Sequence, residues 1–127
     1  MIDIAHLFRD VIRKPFNDDR AATIRLNRMI DAEDHREVIV PIRRLIATQR
    51  SVNDDFASVG DRHPPDSSYR LPAVVRYLSD LYVTDGHHRI VALAVHGNAY
   101  AAVRLFDLDG SWETAPLLEI MMMPEER

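Results

Sequence analysis

The run "AVVRYLSDLYVTDGHHRIVALAVHGNAYAAVRLFD", residues 73–107, constrains the fold more than any other part of the chain. Two β-prone segments meet around Ser79-Asp80, which is the pattern of a hairpin. The second segment ends in Thr84-Asp85 and turns at Gly86. Beyond it, Ile90, Leu93 and Ala94 recur at helical spacing as far as Gly97, predicting a helix from Gly86 to about His96 that stops on a glycine cap. A strand resumes from Tyr100 to Phe106, where Ala101, Val103 and Leu105 alternate with Tyr100, Ala102 and Arg104. Hairpin, helix and strand in that order, within 127 residues, predict one α+β domain built on a mixed sheet.

The flanking segments extend this frame. Ile4, Leu7, Phe8, Val11 and Ile12 stand at helical spacing before Lys14-Pro15, so residues 2–13 are expected to form a short amphipathic helix. Asn17-Asp18-Asp19 offers a cap for a second helix carrying Ala22, Leu26, Met29 and Ile30, which ends near Asp34. Residues 1–36 thus read as a helical extension, with the main domain spanning 37–127. "EVIVPI" is a β-branched run closed by proline, expected to be a buried strand, and "RRLIATQR" to follow as a helical turn and loop. Residues 51–72 read as a long loop with one turn of helix around Asp54 to Val59. Arg62, His63 and Arg70 lie on it as charged loop residues that could close over a ligand. Asp109-Gly110 reads as a β-turn, since Asp107 and Asp109 lack the remaining spacing of a calcium loop. "PLLEIMMM" is an apolar segment whose pattern does not choose between strand and helix.

Charge and composition narrow the function classes. A net charge of -4 argues against gripping duplex nucleic acid as the main task, because neutralising phosphates takes a basic surface. The absence of cysteine removes disulfides, thiolate metal sites and cysteine nucleophiles. The N-terminal "MIDIAHLFRDVIRK" has Asp3 and no basic start or long apolar core, so a cytoplasmic location is expected and no membrane partner.

The candidate site is "DGHHR", Asp85 to Arg89. A helix start already favours anions, so two histidines and an arginine there either crowd the dipole or gather around an anion from outside the chain. A strand, a glycine turn and a helix N-terminus present unpaired backbone N–H groups suited to phosphate. Gly86 allows close backbone approach, Arg89 supplies a forked charge-assisted contact, and His87 and His88 can donate as well. Asp85 has four readings: helix cap, orienter of a histidine, ligand to a phosphate-bound metal ion, or base. A metal site from Asp85, His87 and His88 alone is disfavoured, since adjacent helical histidines point about 100° apart. The competing reading is architectural, with Asp85 a plain cap and the histidines exposed. Elsewhere, Arg20, Arg25 and Arg28 read as the solvated side of their helix, His96 as exposed, and Trp112 and Met121 to Met123 as core or subunit contacts.

Across residues 37–107 the chain resembles the ParB/sulfiredoxin-like superfamily. Gly86, His87, His88 and Arg89 match its Gly-x-[His/Arg]-Arg signature, "IVALAVHG" and "YAAVRLF" its following helix and strand, and "IVPIRRLIATQR" its first box. "LPAVVRYLSDLYVTDG" is similar to the hairpin that feeds the signature. The resemblance implies a nucleoside di- or triphosphate with Mg²⁺, held by Thr48, Gln49, Arg50 and the residues from Gly86 to Arg89. Asp85 is then the metal partner, and Asp85 and His88 the catalytic candidates for hydrolysis or phosphoryl transfer. ParB proteins use cytidine triphosphate, sulfiredoxins ATP, and a free-serine kinase of the group ADP. Where sulfiredoxins need a cysteine this chain has His87, which removes sulfinic acid reduction. About twenty residues follow the last matching strand, too few for the helix-turn-helix and dimerisation domains of partition proteins. The alternatives are a non-enzymatic DNA- or protein-binding module and a ParB-like nuclease, and a homodimer is compatible with either.

Overall fold

The computed structural model describes residues 2–52 and 71–110. Asp54 to Val59, Arg62, His63, Arg70, Trp112 and the "PLLEIMMM" segment, with what is expected of them, lie outside those residues. Among the described residues are eight strands: β1 (Ile2–Asp3), β2 (Asp10–Val11), β3 (Arg36–Pro41), β4 (Leu45–Ala47), β5 (Ser51–Val52), β6 (Ala73–Tyr77), β7 (Asp80–Asp85) and β8 (Tyr100–Asp107). Two α-helices accompany them among the described residues, α1 (Arg20–Asp31) and α2 (His87–Val95). Six strands form one mixed sheet in the order β2-β4-β7-β6-β8-β3, while β1 and β5 pair separately and antiparallel. The expected mixed sheet is present. Hairpin, following helix and last strand stand where the pattern of residues 73–107 places them.

Alternation along the strands sends side chains to two apolar layers. Val38, Val40, Val74, Val83, Val103 and Leu105 face α2, whose Ile90 and Val91 are buried against them together with Ile4 and Phe8. On the other face Ile46, Val75, Tyr82, Phe106 and Leu108 lie under Ala22 and Leu26 of α1 and under Phe16. Asp19 caps α1 by accepting the Ala22 N–H at 3.1 Å, and its other oxygen accepts the Tyr77 hydroxyl at 2.9 Å. One carboxylate therefore starts the helix and fastens it to the sheet. The Ala22 N–H, and then the Tyr77 hydroxyl, hold its pKa below the ordinary aspartate range.

The hairpin turn uses two residues with positive φ, Leu78 at 49° and Ser79 at 71°, the geometry of a tight two-residue connection. Neither is glycine. Both backbone N–H groups donate to the Asp109 carboxylate, at 2.8 and 2.9 Å, which offsets the backbone cost. Asp109 thus belongs to a turn, in agreement with the sequence reading.

The expected helix over residues 2–13 is not formed. The segment instead contributes β1, a 3₁₀ turn over Ala5–Leu7, and β2. Its apolar spacing is satisfied by burying Ile4 and Phe8, while the Arg9 and Ile12 N–H groups donate to Leu45 and Ala47 carbonyls at 2.9 Å each. A twelve-residue helix is marginal by itself, and the open flank of β4 offers its backbone better partners. Residues 2–11 are accordingly integrated with β4 and β5. "RRLIATQR" also differs in part: Ile42–Arg44 form the expected helical turn, but Leu45–Ala47 form β4, buried between β2 and β7. Three residues are too few to show a period.

Candidate functional site

Strand β7, third in the sheet, delivers its last residue Asp85 and then Gly86, which begins α2 at φ 92° and ψ 24°. A Cβ at Gly86 would lie 2.7 Å from Pro72 Cβ and 2.9 Å from Pro72 Cα and from an Arg89 nitrogen. Both the left-handed backbone and the space demand glycine. The N-cap residue of α2 is Gly86 itself, which has no side chain to cap with. The Asp85 cap reading is therefore corrected: its carboxylate, 69 % exposed, stands beside Arg89 at 3.6 Å and Arg104 at 3.9 Å.

The residues expected at the site divide into two groups. Arg89 lies in the first turn of α2 with its side chain 23 % exposed, and His88 beside it is half-buried. These two, with Asp85 and the Gly86 backbone, sit on the outward side of the turn. His87 does not. Its ring is 4 % exposed, tilted against Phe8 with centroids 6.2 Å apart, and its Nε2 accepts the Thr48 N–H at 3.0 Å. That contact assigns the ring proton to Nδ1. Burial, then the neighbouring charges of Lys14 and His88, lower the His87 pKa to about 4, against a smaller opposing pull from Asp85. The imidazole is neutral at ordinary pH, and the lone pair a metal would need is occupied. A three-ligand site from Asp85, His87 and His88 does not fit this geometry. Among the described residues no cluster of three metal-ligating side chains occurs.

Thr48 joins the chain after β4 to the turn: its N–H goes to His87, and its hydroxyl donates to the Val83 carbonyl at 2.6 Å. The Gln49 amide donates to the Ser51 carbonyl, and exposed Arg50 lies 3.3 Å from Asp3. The side chains of Thr48 and Gln49 thus bond backbone carbonyls, of β7 and β5 respectively.

Arg104 is the residue the sequence reading passed over as one outward position of a strand. Its Nε donates to the Leu71 carbonyl at 2.8 Å, its guanidinium carbon lies 5.8 Å from the Phe106 ring centre, and its side chain is 11 % exposed. The one signal in the sequence is a cation alternating with buried valine and leucine. A hollow of about 220 Å³ between Leu7, Ile42, Arg43, Ala94 and Gly97 to Ala99 lies at the opposite end of α2 and shares no residue with this turn.

Fold and turn together define a class: a mixed α/β chain with six strands in one sheet, a helix against each face, and a strand–glycine–helix turn at the end of an interior strand. Compared with known proteins, the chain matches no family model and no curated protein. No helix among the described residues is long and apolar enough to cross a membrane.

Proposed function

We propose that the chain binds a nucleoside di- or triphosphate, with the phosphates over the Gly86 to Arg89 turn of a ParB/sulfiredoxin-like domain. The observation that carries this reading is the turn itself: Gly86 at φ 92° as the N-cap residue of α2, and the arginines Arg89 and Arg104 both within 4 Å of the Asp85 carboxylate. A helix start with glycine as its N-cap residue has a positive dipole end that favours an anion, and glycine lets the anion approach the backbone. Arg89 supplies the forked contact to phosphate oxygens. Mg²⁺ carried in by the nucleotide takes most of its ligands from phosphate and water and needs one or two carboxylates, a requirement that Asp85 meets. His87 serves from below, holding residue 48 against the start of the helix. Asp85 and His88 are the titratable groups on the outward side, where a general base or acid for hydrolysis or phosphoryl transfer belongs.

A thermal-shift panel of ATP, CTP, GTP and ADP, with and without Mg²⁺, tests the reading. Stabilisation of about 2.7 kcal/mol is expected when the right nucleotide is present at a hundred times its dissociation constant. A flat panel in both conditions would leave a scaffold that binds DNA or a protein partner without nucleotide.

A further inference from the structure

We infer that the outer edge of β3 pairs with itself: two copies of the chain join antiparallel along Arg36–Pro41, about a two-fold axis at Ile39, into one sheet that runs through both. The inference is independent of the nucleotide reading. It starts from the backbone. β3 stands last in the sheet, with β8 on its inner side. The Ile42 N–H donates to the Ala99 carbonyl at 2.9 Å, one step beyond the Pro41–Tyr100 pair of the β3–β8 register. Alternate residues of an antiparallel strand turn the same way, so Val40 and Val38 also bond inward to β8, while Glu37, Ile39 and Pro41 turn their backbone groups outward. Among the described residues no strand takes them.

That edge is complementary to itself. A two-fold axis at Ile39 sets Ile39 opposite Ile39 of the second copy, and Glu37 opposite its Pro41. The Ile39 N–H then meets the Ile39 carbonyl and the Glu37 N–H the Pro41 carbonyl, each contact made again by symmetry. Proline has no N–H to give, and this register asks none of it. The side chains agree with the backbone. Ile39 is 46 % exposed on the face it shares with Ala102 and with Tyr100, itself 50 % exposed, and pairing lays this isoleucine against its own counterpart. Glu37 near the start of β3 and Arg43 just past its end are both exposed. Antiparallel pairing brings the carboxylate of each copy towards the guanidinium of the other. Charge and proline commonly defend a free edge, but here both are placed to suit a second copy.

Equilibrium sedimentation of the full chain over a range of concentrations tests this, with melting curves on dilute protein to establish that each variant folds. Wild type is expected to dimerise. Ile39→Lys, which sets two cations face to face on the axis, should weaken the dimer about a hundredfold or more and leave the dilute melting curve unchanged. Glu37→Arg and Arg43→Glu should each weaken it about tenfold, and the double variant, which restores opposite charges, should regain most of that loss. A monomer at every concentration overturns the inference, whether the edge stays open, is covered by other residues of the chain, or takes a strand from another protein. A dimer that Ile39→Lys leaves intact places the interface elsewhere and overturns it too. A double variant no tighter than either single change overturns the register about Ile39.

Discussion

The imidazole of His87 accepts the backbone N–H of Thr48 at 3.0 Å, across 39 positions of sequence, and so ties the chain before β5 to the first residue of α2. The acceptor is available only while the ring is neutral.

That bond sets a pH dependence. The His87 pKa is lowered from an ordinary 6.5 to about 4, so below pH 6.5 the unfolded chain takes up a proton that the folded chain refuses. Its contribution is complete above about pH 6.5, declines as pH falls towards 4, and then levels off. The total is on the order of 3 kcal/mol, at about 1.4 kcal/mol for each pH unit. Urea unfolding of wild type and His87→Gln across this range checks it: the stability advantage of wild type should shrink with acid. A constant difference would show that His87 does not titrate with folding.

Gly86 and Gly97 have almost the same φ, 92° and 90°, but different surroundings. An added Cβ at Gly86 meets Pro72 at 2.7 Å, whereas at Gly97 nothing lies within 4 Å. Gly97→Ala should cost only the backbone term, about 1 kcal/mol. Gly86→Ala should cost that and the displacement of Pro72, about 2 to 4 kcal/mol in all. Equal melting temperatures for the two variants would refute the argument from space.

Arg89→Ala separates function from architecture. Its ion pair with Asp85 is a 3.6 Å contact to a carboxylate that is largely in water, and a cation in the first turn opposes the helix dipole. Stability should change by less than about 1 kcal/mol. Nucleotide affinity should fall roughly tenfold to a hundredfold, as for a lost charge-assisted contact. Calorimetry and a melting curve on the same variant decide it, and the reverse pattern would make "DGHHR" a structural device.

Arg76 and Asp107, register partners on β6 and β8, form an ion pair at 3.5 Å with side chains 8 % and 0 % exposed. The second Asp107 oxygen accepts the Asp109 N–H at 3.0 Å, which orients the residue that holds the hairpin turn. Asp107→Ala leaves a buried guanidinium without this carboxylate and should cost about 3 to 5 kcal/mol. The double change Arg76→Met with Asp107→Leu should cost much less. A double variant as unstable as Asp107→Ala alone would place the loss in the turn and not in the unbalanced charge.

The parts legible in advance were those whose signal is local. Turn, helix and strand from Gly86 to Asp107 follow from glycine's backbone freedom and from the change of apolar period from 3.6 to 2, both properties of a few neighbouring residues. The same locality misled at residues 2–13, where Ile4, Leu7, Phe8 and Val11 fit a helical period equally well. Only the free flank of β4, more than thirty residues away in sequence, chose strand and 3₁₀ turn instead.

The sequence by itself therefore determined the strand–glycine–helix turn and the placing of Arg89 in its first turn, because periodicity and glycine act through neighbours. Tertiary structure alone decided that His87 faces inward to Thr48, that Asp85 caps nothing, and that Arg104 reaches the turn from two strands away. Each of those depends on which strands lie side by side and in which register, and pairing between distant segments is chosen by the burial and backbone hydrogen bonding of the whole sheet.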